Sequence, residues 1–338
     1  MSIRYFKFRH AVAAGSLAAK VLAQVRREFG AEVEPFTLHL PVPDLLAGAW
    51  MACRETLIAG GGRRDAKEAV AATVSAINRC PYCIDAHSIM VLGASGNDLS
   101  KALFEGKPEQ ILDPVLRSAC LWASATRSPG SPQLANPPFA PAEAPAYIGT
   151  AVFFHYINRM VTVLLGNSPL PFTEGFPKSV SMRLAAWFFG GAIRLDKKIG
   201  ASLDLLPEAA LPDDLAWAKP SPQVAAAFAA FAGEIEKAGE MAVPSRARNA
   251  VRNAVDAWNG NDPGLDSAWI EQALSGLDEK ERAAGMLALL AALAPYRITD
   301  EVVTAFSTQF PGDADLLSAL AWSSFTAARK IGTWLASC

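Results

Sequence analysis

Residues 68–87, EAVAATVSAINRCPYCIDAH, constrain this chain more than any other stretch. Glu68 stands twelve residues before Cys80, Cys83 three after it, and His87 four beyond Cys83. Val70, Val74 and Ile77 form one apolar stripe at helical spacing, so the first part predicts a helix. Proline lacks a backbone donor and pushes the residue before it out of the α region, which ends that helix near Arg79. Pro81 suits the first position of a new helix, with Cys80 as its N-cap. Cys83 then lies in the first turn, and His87 one turn later on the same face. The segment demands a helix–proline–helix frame with two thiols at the joint.

That frame supplies what thiol chemistry needs. The thiolate is the nucleophile, and unpaired N–H groups at a helix N-terminus favour it. An imidazole at i+4 can take the thiol proton and return it to a leaving group. Side chains at an N-cap and three residues on approach each other, so Cys80 and Cys83 can close a disulfide with little backbone movement. Glu68, on the preceding helix, is a candidate to orient His87 or relay its proton.

E-x11-C-x2-C-x3-H, set in AVAATVSAINRCPYCIDAHS, resembles the signature of the alkyl hydroperoxidase D-like branch of the carboxymuconolactone decarboxylase superfamily. The resemblance implies an all-helical thiol peroxidase with no bound cofactor. It further implies that Cys83 attacks the peroxide, that Cys80 resolves the resulting sulfenic acid, and that Glu68 and His87 carry the proton relay. Decarboxylases of the superfamily lack the cysteine pair, which argues against that activity here. Some members carry histidine between the cysteines, where this chain has Tyr82. Two other readings compete. Structural zinc normally takes four ligands, whereas Cys53, Cys120 and Cys338 are scattered singly. Free cysteine is also often a small core residue. Redox chemistry accounts for all four positions together.

At 338 residues with 51% hydrophobic and 19% charged residues, the chain reads as globular, with room for two modules. A net charge of −2 gives no support for nucleic acid or an anionic membrane as partner. Five cysteines do not make a disulfide framework, and a reducing cytoplasm fits better. Lys20, Arg26 and Arg27 interrupt the segment that a secretory signal would need. The apolar runs Tyr147 to Gly166 and Ala283 to Tyr296 read as buried helices. The first holds His155, Asn158 and Arg159, and the second is too short to span a bilayer.

Further helices are expected over residues 11–28, from Asp44 to about Ile58, and after an Asp113 cap with Pro114 at its first position. Cys53 and Cys120 read as core residues, His39 as structural, and His155 as a satisfied core histidine. Arg159 reads as a structural ion-pair partner, and the Asn158-Arg159 pair resembles one common in the family's last helix. The proline-rich run 128–145 reads as a loop over the site.

The second half echoes the first. Leu40 to Trp50 aligns with Lys219 to Ala229, Cys80 to His87 with Ala294 to Glu301, and Tyr156 to Arg159 with Thr326 to Arg329. There Ala294 replaces Cys80, Arg297 replaces Cys83, Glu301 replaces His87, and Arg282 stands opposite Glu68. The expectation is an all-α protein of two modules. Residues 1–168 form the alkyl hydroperoxidase D-like thiol peroxidase, and residues 169–338 a degenerate repeat without catalytic residues. Expected partners are a peroxide substrate, an external dithiol or disulfide reductant protein and further copies in a homo-oligomer, with no nucleic acid and no membrane. The rivals are a thiol–disulfide oxidoreductase or redox sensor, and a non-enzymatic oligomeric binding module.

Overall fold

The computed structural model describes residues 3–6, 11–95, 99–165 and 197–336. Every regular element among them is helical, with no strand, as expected. The first half carries α1 (Leu17–Phe29), α2 (Glu34–Thr37), α3 (Pro43–Cys53), α4 (Arg64–Ile77), α5 (Pro81–Ser95), α6 (Ser100–Phe104), α7 (Pro114–Ser124), α8 (Pro132–Ala135) and α9 (Ala144–Leu164). The second half carries α10 (Pro222–Ala242), α11 (Ser245–Ala257), α12 (Ala268–Ala273), α13 (Glu279–Leu293), α14 (Asp300–Gln309) and α15 (Asp313–Ala336). The expected boundary at residues 168 and 169, and the segment LAAWFFGGAIR, lie outside the described residues.

Local chemistry sets several of these limits. Ser16 caps α1 by accepting from the Ala19 N–H at 3.2 Å, so the helix begins after Gly15 rather than at residue 11. Asp113 accepts from the N–H groups of Val115 and Leu116, and Pro114 opens α7 as expected. The α3 helix does not continue regularly to Ile58. Arg54–Ile58 form a π turn, and Lys67 closes it by donating to the carbonyls of Thr56 and Gly60. Burial pushes the Lys67 ammonium down to about 7.

One continuous apolar core runs from Ala18 to Leu335. Helix α9 lies at its centre, packed on α4 within its own half and on α15 across the halves. Helix α3 packs in the same way against α10. The approach is close: a Cβ on Gly48 would lie 2.7 Å from the Phe231 ring and 3.0 Å from its Cα. Tyr156 of α9 meets Phe231 of α10 and Phe325 of α15 edge-on, so aromatic packing joins the halves. No helix among the described residues is long and apolar enough to cross a membrane.

Candidate active site

The chain reverses direction within three residues at the joint between α4 and α5. Arg79 takes the left-handed conformation, with φ of 54°. Its N–H bonds to the Ala76 carbonyl and the Cys80 N–H to the Ser75 carbonyl, which is the Schellman ending of a helix. Glycine usually fills such a position, because an L side chain there costs about 1–2 kcal/mol. Pro81 then opens α5 at once, and both thiols sit at its N-terminal end.

The sulfurs of Cys80 and Cys83 are 3.0 Å apart and unbridged, with Cys80 donating to Cys83. Both are buried. Cys83 lies on the wall of an apolar cavity of about 250 Å³, together with His87, Phe154, Met90 and Leu57. Among the described residues Cys80 is not part of that wall. Burial pushes the Cys83 thiol well up, the bond from Cys80 adds to this, and a hydrogen bond from Asn158 opposes it.

His87 and Glu68 meet as their spacing suggests, with His87 Nδ1 at 2.6 Å from Glu68 Oε2. The other carboxylate oxygen accepts from Arg64 at 2.7 Å. Burial alone would raise the Glu68 carboxyl, but Arg64 and then His87 outweigh it and hold it below the usual carboxylate range. An ionised Glu68 favours the tautomer of neutral His87 that carries its proton on Nδ1. Phe154 packs edge-on against the imidazole with centroids 4.4 Å apart, which restrains the ring.

Other polar residues of the first half fall outside this arrangement. His39 is buried, with Nδ1 at 3.0 Å from the Pro35 carbonyl and Nε2 at 2.6 Å from the Tyr156 hydroxyl. Burial pulls it down to about 4, so it is a neutral core residue. Tyr82 donates to Glu34 at 2.8 Å, and that bond ties α5 to α2 beside the cavity. Arg159 differs from expectation. It binds the carbonyls of Ala292 and His155 instead of a carboxylate and lies over Trp258. A guanidinium held by carbonyls in the core is pushed down by burial, to about 9. The proline-rich run also differs, since its Phe139 is packed on Trp122 and Tyr147 and does not line the cavity.

Three contributors were not singled out from sequence. Arg64 carried a signal, standing four residues before Glu68 on one helix. Asn158 carried only the Asn-Arg resemblance. Cys53 is in the core as expected but also lines the cavity, and burial pushes its thiol up. No group of three or more His, Cys, Asp or Glu side chains suited to a metal occurs among the described residues. In the second half, Arg297 binds the carbonyls of Gly264 and Asp266, Arg282 pairs with Glu271, and Glu301 is exposed. These positions hold no thiol or imidazole.

Residues 44–105 match the Carboxymuconolactone decarboxylase family. Alkyl hydroperoxide reductase Rv2159c of Mycobacterium tuberculosis (strain ATCC 25618 / H37Rv) is 40% identical to this chain over 324 residues. The match covers 95% of this chain and 92% of that protein.

Proposed function

This chain belongs to the carboxymuconolactone decarboxylase family, and from that premise we propose that it is a thiol-dependent peroxidase of the alkyl hydroperoxidase D-like kind. The observation that carries this reading is the position of Cys83, which shares a cavity wall with His87 while Cys80 stands 3.0 Å behind it. The name of the mycobacterial relative supports peroxide as the substrate.

The cycle starts with Cys83 as a buried thiol, and His87 takes its proton through Nε2. The thiolate attacks the terminal oxygen of the hydroperoxide, the O–O bond breaks, and His87 returns the proton to the departing alkoxide. The products are an alcohol and a Cys83 sulfenic acid. Cys80 thiol condenses with it, forming the Cys80–Cys83 disulfide and releasing water. An external dithiol then reduces that disulfide by thiol exchange. Glu68 holds His87 in the needed tautomer and stabilises it when charged. The apolar cavity wall suits the organic part of the substrate.

The same proposal assigns these roles to residues 1–168 and reads residues 169–338 as a degenerate copy. Helices α3 and α10 both start at the aligned prolines, Pro43 and Pro222, which supports it. The test is peroxide consumption coupled in turn to lipoyl, thioredoxin and glutathione reductants. Turnover with at least one of them, lost in Cys83→Ser, is expected. Disulfide exchange without peroxide consumption would favour a thiol–disulfide oxidoreductase instead.

A further inference from the structure

The cysteine joint is gripped from the second half of the chain. Between α11 and α12 the segment 258–262 turns on Gly260, whose φ of 91° is left-handed. The Trp258 indole N–H donates to the Asn261 carbonyl at 2.7 Å, which holds the turn closed. The turn lies directly against Arg127, just beyond the end of α7. A Cβ on Gly260 would stand 1.8 Å from the Arg127 carbonyl oxygen, so no other residue fits this approach. Arg127 Nε in turn donates to the Gly260 carbonyl at 3.0 Å, and its guanidinium lies over the Trp258 ring at 5.5 Å.

Asp262 ends this segment, and its two oxygens reach both sides of the joint. Oδ1 accepts from Arg127 Nη2 at 2.7 Å. The same guanidinium donates from Nη1 at 3.3 Å to the carbonyl of Ile77, the last residue of α4. Oδ2 pairs with Arg79 Nη2 at 3.1 Å. Arg79 is the residue in the left-handed conformation, and it stands directly before Cys80. A non-glycine residue keeps such a conformation only where its surroundings fix it. The Ala76 carbonyl fixes its backbone N–H, and Asp262 fixes its side chain. The Arg79 side chain is 71% exposed, so that pair alone is weak, whereas Arg127 at 15% is well sheltered.

We propose that Asp262 is a positioning residue for Cys80: acting through Arg79 and Arg127, it holds the joint so that the Cys80 sulfur stays within reach of Cys83 and closes the disulfide. This rests on the reading of Cys80 as the resolving thiol. The second half, without a thiol or imidazole at its aligned positions, then sets the rate of closure. If Arg79 leaves the left-handed region, the chain entering α5 turns elsewhere and carries Cys80 with it. Cys83, inside the first turn of α5, stays where it is. Attack by Cys83 is therefore untouched, and only closure suffers.

No peroxide enters the test, so failure here is distinguishable from failure of the peroxidase reading. Methyl methanethiosulfonate is added to the reduced chain. Cys83 thiolate displaces methanesulfinate and is left as a methyl disulfide. Cys80 thiolate then attacks the Cys83 sulfur, giving the Cys80–Cys83 disulfide and methanethiolate, which takes up a proton. Peptide mass spectrometry of acid-quenched samples times the two steps separately. Asp262→Ala is expected to slow closure about fivefold, the upper end for a partly exposed ion pair, with the first step unchanged. Arg79→Ala, which keeps the left-handed turn and loses the anchor, should do the same and stays readable if Asp262→Ala does not fold. Adding Arg79→Gly to Asp262→Ala should restore the closure rate, because glycine takes the left-handed conformation at no steric cost. Closure at the parent rate in folded Asp262→Ala or Arg79→Ala overturns the proposal. So does an equal slowing of both steps, or a glycine variant as slow as the alanine one.

Discussion

Glu68 has no exposed surface, yet it stays ionised because Arg64 and His87 occupy both of its oxygens. Its folded pKa lies below the unfolded value of 4.5, so the unfolded chain binds its proton first as the pH falls. Glu68 therefore contributes stability that is fully present above about pH 4.5 and is lost as the pH drops through the lower folded value. Glu68→Gln should flatten this part of the stability curve, as read by urea unfolding from pH 3 to 7. Gln cannot stabilise a charged His87 and presents either an oxygen or an N–H to it. Peroxide turnover should consequently fall about 10²-fold, the lower range for general acid–base help. An unaltered pH–rate profile in the folded variant would remove Glu68 from the relay.

At the level of elements, most of the frame around the site could be read from short-range chemistry. Pro81 and Pro114 announce helix starts because a missing donor is harmless there, and Asp113 is a capping side chain. The Glu68–His87 meeting was legible because two fixed helices and one tight joint leave little freedom. The π turn at Arg54–Ile58 was not legible, because its supports come from far along the chain. Lys67 holds its carbonyls, while Arg54 and Glu55 are buried with Glu28 of α1. Glu55 also accepts from the Gly200 N–H and the Ser202 hydroxyl. The bonds of Asn158 in α9 to Asn78 at the end of α4 and to Ser75 within it were equally hidden, since these residues lie about eighty positions apart. Arg159 misled for the reverse reason. A buried arginine suggests a carboxylate, but the His155 carbonyl one turn back in α9 and the Ala292 carbonyl near the end of α13 bind it here.

Across the whole molecule, the two halves share a core rather than touch at a seam. Helix α9 is covered by α15 and α3 by α10, with Gly48 of α3 against Phe231 of α10 and Tyr156 of α9 against Phe231 and Phe325. The proposal that the second half is a silent copy gives it a physical task, to cover apolar faces that a single module would expose. A chain ending after Leu165 should aggregate or self-associate, which light scattering would reveal. A stable, fully active monomer would show that the second half is dispensable to the first. Two sulfurs stand 3.0 Å apart, and attack is assigned by the proposed cycle to the one on the cavity wall. The most direct measurement of that assignment is dimedone trapping and peptide mass spectrometry after one equivalent of organic hydroperoxide, on Cys80→Ser and Cys83→Ser in parallel. A trapped sulfenic acid is expected at Cys83 in Cys80→Ser and none at Cys80 in Cys83→Ser. A sulfenic acid at Cys80, with none at Cys83, would contradict it.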